Sequence, residues 1–152
     1  AMIQIKEDRF FLIENPAGSE LFQLPEFQDL WNTGKVGKIT FPQCTVGLKT
    51  PEGMPILKLT ELWSNARELL EPFAGLKCEH DQHGDICGQY CGQQRSKLAQ
   101  VWPPEMCRMI VEGSFMLLKR IGTVKQRCLL GLPVEDTKKV RTRMYPERAV
   151  FD

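Results

Sequence analysis

The string Cys78-Glu-His80-Asp-Gln-His83-Gly-Asp-Ile-Cys87-Gly-Gln-Tyr-Cys91 holds both histidines of the 152-residue chain and three of its six cysteines. Thiolate and imidazole are the donors that zinc takes in a tetrahedron. Four such ligands make a closed structural site, and a catalytic site keeps one position open. Cys78 and His83 are the first choices as ligands. Cys44, which follows a predicted strand, could reach across and close a site between sheet and loop. His80, Cys87 and Cys91 compete for the last place, with His80 taken as the working choice. Cys107 could turn toward the same metal. The competing reading is a polar loop with incidental cysteines, but exposed free thiols are generally avoided.

Catalysis at such a metal would need a carboxylate placed as general base. Glu79, Asp81 and Asp85 are near in sequence. No His-Glu-x-x-His or paired-carboxylate pattern accompanies them, so a metal-dependent hydrolase or nuclease is the least favoured reading. They read as solvated groups or as partners of the ligands. Cys107 and Cys128 lie on apolar stretches and read as buried small hydrophobes.

The elements that must position these groups follow from patterning. Residues 9–14 form a short apolar run rich in aromatics, a buried strand stopped by Asn15-Pro16. Its end would place Glu14 at the carboxyl edge of a sheet, where ligands bind in open α/β folds. Ser19 is a plausible N-cap for a helix through Phe22, Phe27, Leu30 and Trp31, broken or restarted at Pro25 and closed by Gly34. Residues 36–41 and 58–63 read as two further strands, joined by a Gly- and Pro-containing loop. Residues 73–94 lack periodicity, and a metal would give that loop a reason to be ordered. Pro103-Pro104-Glu105 opens a helix with Met106, Ile110, Val111, Phe115, Leu117 and Leu118 as its apolar face, ending near Gly122. Trp31, Trp63 and Trp102 could stack on nucleobases, although such positions more often belong to a core. The alternation of strand and helix predicts an α/β fold: residues 1–132 as one zinc-binding domain, with residues 133–152 as a basic C-terminal arm.

The net charge of +1 conceals an asymmetry. Residues 1–34 carry two basic and six acidic side chains. Residues 119–143 carry eight basic ones (Lys119, Arg120, Lys125, Arg127, Lys138, Lys139, Arg141 and Arg143) against two acidic. Such a segment suits DNA or RNA phosphates, and equally a solvated helix face plus tail. Nothing approaches the roughly 18 consecutive apolar residues of a membrane span. Glu7, Asp8 and Arg9 interrupt the first apolar stretch, so no secretion signal is expected. Six cysteines without a secretion signal point to reduced thiols or metal ligands in the cytoplasm or nucleus. Ala1-Met2 reads as a cloning scar, which would make the chain a piece of a longer protein.

A resemblance adds to this reading. Ile13-Glu14-Asn15-Pro16, Cys44-Thr-Val-Gly47, Lys58-Leu-Thr60-Glu-Leu62-Trp63-Ser64-Asn65 and Pro103-Pro104-Glu105-Met-Cys107 occur in this order. Over residues 9–112 the chain resembles DNA cytosine methyltransferase-like proteins of phages and retrotransposon polyproteins. Leu59 and Ser64 depart from the proline and threonine usual in that group. The resemblance implies a Rossmann-like sheet, present here in part with about three to five strands. It implies that Glu14 contacts a target cytosine, and that Cys44, Cys78 and His83 bind metal. The Gly-rich turn for S-adenosylmethionine and the Pro-Cys nucleophile loop have no counterpart in the chain. The expected function is therefore a zinc-stabilised, non-enzymatic module of a retroelement-type polyprotein that binds nucleic acid or a partner. The alternative is the target-recognition half of a methyltransferase, dependent on a separate cofactor half.

Overall fold

The computed structural model describes residues 1–129 and 150–151, with side chains through Gly122 apart from that of Leu98. Three strands make the frame: β1 Leu12–Pro16, β2 Gly37–Pro42 and β3 Leu59–Ser64. β3 lies between the other two and is antiparallel to both, with Trp63 opposite Ile13 and Leu62 opposite Ile39. A two-residue strand, Val150–Phe151, adds in parallel to the free edge of β2.

The mixed α/β class expected from the sequence is present. The Rossmann-like parallel pairing is not formed by these strands. β1 and β2 do run in the same direction, joined through the helix Pro25–Asn32, but β3 is inserted between them. Strand–helix–strand alternation specifies the crossover, and local pattern does not specify which strand fills the gap.

Side chains alternate across the sheet and build a core on each face. On one face Ile39, Phe41 and Leu62 pack with Leu70, Phe73, Met106 and Met109. On the other, Trp63 packs with Phe22, Leu30 and Val36, with Phe27 and Trp31 partly buried beside it. Trp63 stacks on Phe22 with ring centroids 4.8 Å apart.

Ser19 caps as expected: its Oγ accepts from Leu21 N–H at 3.2 Å. The predicted helix is split into a 3-10 turn, Glu20–Gln23, and an α-helix, Pro25–Asn32. Pro25 has no N–H to donate, so it suits a first helical turn and could not continue a preceding one. Pro16 is tolerated within β1 because β1 is an edge strand. The strand therefore continues through Asn15 to Pro16, and Glu14 sits within it opposite Leu62 rather than at its end.

The helix opened by Pro103-Pro104 runs Pro104–Leu129, well beyond Gly122. A single glycine weakens a helix by about 1 kcal/mol but does not end it. Its buried stripe is Met106, Met109, Gly113 and Leu117; Val111, Phe115 and Leu118 are exposed. Those three were expected in the core. At 100° per residue they fall on the side opposite Met106. Gly113 allows the helix to cross Arg67–Leu70 closely, since a Cβ there would lie 2.5 Å from the Glu68 carbonyl oxygen. The short helices Met2–Lys6 and Arg67–Leu70 and the hairpin of Gln89–Tyr90 with Gln93–Gln94 were not anticipated. Among the described residues, no helix is long and apolar enough to cross a membrane.

Candidate metal centre

Cys44 comes from the 3-10 turn Gln43–Val46, which follows β2 directly. The turn is fixed by buried contacts: Gln43 Nε2 donates to Thr60 Oγ1 at 2.7 Å, and Gly47 ends it with φ +91°. Cys44 is 4% exposed, so its Sγ is held at the end of the sheet in an apolar setting. Burial and the neighbouring Cys78 thiol push its pKa up to about 11.

The other three donors sit on the irregular segment following the 3-10 turn Glu71–Phe73. Leu76 packs against the core at its start. Further along, Gly84 N–H donates to the Pro55 carbonyl at 2.8 Å, and Ile86 packs with Leu48, Ile56 and Ala99. Gly84 is required for this docking, because a Cβ would meet Thr50 Cγ2 at 2.4 Å. Beyond it, Arg95 pairs with Glu52 through both terminal guanidinium nitrogens, Nη1 and Nη2, and its backbone N–H donates to the Gly88 carbonyl. The segment is thus fastened on both sides of the histidines.

These attachments bring Cys78 Sγ to 3.4 Å from Cys44 Sγ, 3.3 Å from His80 Nδ1 and 3.1 Å from His83 Nε2. The four donor atoms all lie within 4.8 Å of one another, an arrangement that could hold a metal ion. The set is the one expected, Cys44, Cys78, His80 and His83. The alternatives for the last place do not join it. Cys87 and Cys91 are exposed beside the hairpin, Cys91 in its turn with φ +47°. The Cys87 backbone N–H donates to Asp85 Oδ1, and that carboxylate raises the Cys87 thiol pKa. Cys107 is exposed rather than buried, because it follows buried Met106 by one residue and points away from the core. Cys128 lies in the part of the last helix whose side chains are not described. Glu79, Asp81 and Asp85 are exposed, and none belongs to the donor group.

Glu14 has one carboxylate oxygen buried without a hydrogen-bond partner. Of the basic residues, Arg120 is ion-paired with Glu68 in a geometry that is not a hydrogen bond, and its guanidinium lies 5.5 Å from the Phe10 ring centroid. Its guanidinium is thus engaged within the fold. Lys119 is exposed. Lys125 and Arg127 lie on the last helix with side chains not described, and Lys138, Lys139, Arg141 and Arg143 are outside the described residues. Trp63 is 3% exposed, Trp31 is half-buried and Trp102 is 40% exposed.

No protein-family model matches the chain, and no curated protein or solved structure is significantly similar to it.

Proposed function

We propose that the chain is a zinc-stabilised, non-enzymatic binding module, with Cys44, Cys78, His80 and His83 as the zinc ligands. The observation that carries this reading is the convergence of two thiols and two imidazoles from separate parts of the chain. With Zn–S about 2.3 Å and Zn–N about 2.0 Å, a tetrahedron has edges of about 3.3–3.8 Å. The contacts of 3.1–3.4 Å lie close to those edges. Two thiolates and two imidazoles favour zinc over magnesium or calcium, which take oxygen donors. Four protein ligands leave no open position for substrate, which supports a structural role. Zinc here would tie the 74–88 segment to the turn after β2.

The binding partner is proposed as DNA or RNA, on the strength of the eight basic residues between 119 and 143. One of them, Arg120, is also ion-paired with Glu68. The retroelement-type polyprotein setting and a cytoplasmic or nuclear location rest on the sequence resemblance and on the cysteine content. The test is metal content and nucleic-acid affinity measured together. One bound zinc and salt-sensitive binding are expected, and a protein that purifies folded but metal-free from zinc-containing medium would defeat the reading.

A second reading is favoured by one observation, the buried unpartnered oxygen of Glu14. It would suit a carboxylate that receives a base in the target-recognition half of a cytosine methyltransferase. Loss of activity of a reconstituted enzyme on Glu14→Gln would support it.

A further inference from the structure

On the sheet face opposite Glu14, a cavity of about 250 Å³ opens between β3 and the segment from Gly18 to Trp31. Its lining joins aromatic faces to oriented polar groups. Trp31 and Phe22 border it, with Trp63 beneath. Lys38 Nζ lies 5.3 Å from the Trp31 ring centroid, 5.9 Å from that of Trp63 and 3.7 Å from Glu61 Oε1. The ammonium is therefore held in place by two indoles and a carboxylate, while its side chain stays 33% exposed. Glu61 is committed internally, accepting from Trp63 Nε1–H as well.

The polar rim is equally defined. Ser19 Oγ accepts from Asn15 Nδ2 and from Leu21 N–H, so its own proton is left to donate. Gln28 Nε2 donates to the Phe22 carbonyl, which leaves Gln28 Oε1 as an acceptor. The site thus offers an aromatic face, a donor, an acceptor and a fixed cation. A cationic guest is disfavoured, because Lys38 already occupies the place between the indoles and Glu61. The volume is below the roughly 300 Å³ at which pockets for drug-sized ligands begin. It suits one flat ring bearing hydrogen-bonding edges and an attached anion.

We infer that this cavity takes a single unstacked nucleobase, its ring against Trp31 and its phosphate on Lys38. This deepens the proposed nucleic-acid binding and rests on it. A base within a duplex is stacked between neighbours and paired, so it cannot enter. The site accordingly selects single strands.

The test is a titration of the zinc-loaded full chain with a single-stranded thymidine dodecamer, read by tryptophan emission and by anisotropy of a labelled strand. Saturable quenching is expected at the affinity that anisotropy reports, with duplex of equal length giving none. Trp31→Ala should weaken single-strand binding by about tenfold or more, the scale of one base–aromatic stack. Lys38→Gln should weaken it by several-fold and flatten its salt dependence. Trp31→Phe, which keeps an aromatic face, should stay within about threefold of the parent; it and the solvent-accessible Lys38→Gln keep the test valid if Trp31→Ala does not fold. Strand binding that causes no quenching and ignores these substitutions overturns the pocket and leaves the basic segment as the binding surface. Undetectable binding at low salt overturns both. Equal quenching by an oligoglutamate peptide shows that the cavity reads charge alone, and overturns base recognition.

Discussion

The Sγ atoms of Cys44 and Cys78 lie 3.4 Å apart, although the residues are separated by 34 positions in the chain. One thiol belongs to the turn that ends β2, and the other to a segment without regular structure. This pair connects the sheet to the histidine-bearing loop, and the first expectations follow from it.

Removing the metal should loosen the loop and leave the sheet folded, since the sheet has cores on both faces. At a free zinc concentration about a thousand times Kd, binding contributes about 4 kcal/mol. Chelation should then lower Tm by about 8–16 °C at this chain length. Hydrogen exchange should quicken around residues 76–88 and remain slow in β3.

Metal uptake should release protons, because zinc takes thiolates and the Cys44 thiol is held neutral by burial and by Cys78, with its pKa at about 11. Zinc affinity should therefore fall as pH is lowered. Calorimetric titration in buffers of different ionisation enthalpy measures the proton count. For the metal-free protein the sign reverses. A thiol pKa raised from 9.0 to about 11 contributes stability below pH 9 and loses it as pH rises toward 11. Urea midpoints across that window, taken with chelator present, should decline with pH.

Three glycines should respond differently to alanine. Gly113→Ala drives a methyl into the Glu68 carbonyl and the Leu69 Cα, and should cost about 1–3 kcal/mol despite alanine's better helix propensity. Gly122 lies in the same helix with nothing among the described residues within 4 Å, so Gly122→Ala should stabilise by up to about 1 kcal/mol. Gly84→Ala should act through the metal loop, lowering zinc affinity by displacing the loop from Thr50 and Met54. Urea unfolding separates the first two, and zinc competition reads the third.

The metal ligands were legible because chemistry is written in residue type. Two histidines and a cysteine within six positions suggested one half of a site, and Cys44 was the cysteine placed after a strand. The three main strands were legible from apolar runs, and Pro25 announced its helix. Strand direction was not legible, because the insertion of β3 between β1 and β2 depends on contacts far apart in sequence. The apolar residues of the last helix were legible as apolar, but not as two stripes. Val111, Phe115 and Leu118 share composition with the buried stripe, and only the docking of Gly113 against Glu68 decides which side faces inward. The cavity beside Trp31 was also hidden. Tryptophans suggested stacking, but nothing local showed that Lys38, on the neighbouring strand, would come to rest between two indoles.

Nucleic-acid binding, if it runs through the basic segment, should depend steeply on salt. Neutralising Z phosphates gives a slope near −0.9Z for duplex and about −0.7Z for single strands. Replacing Lys138, Lys139, Arg141 and Arg143 together by glutamine should reduce that slope by about three. Arg120→Gln should change the slope little and lower stability instead, because Arg120 is paired with Glu68. Anisotropy at several salt concentrations distinguishes the two.

The most direct test is the zinc content of the purified protein measured alongside Cys44→Ser, a substitution far in sequence from the Cys78–His83 string. The account predicts one zinc per parent chain, and a Cys44→Ser protein that keeps its sheet but binds zinc at least about tenfold more weakly. A parent chain that is folded, monodisperse and free of metal after purification in zinc-containing medium would contradict it, as would a Cys44→Ser protein that binds zinc as tightly as the parent.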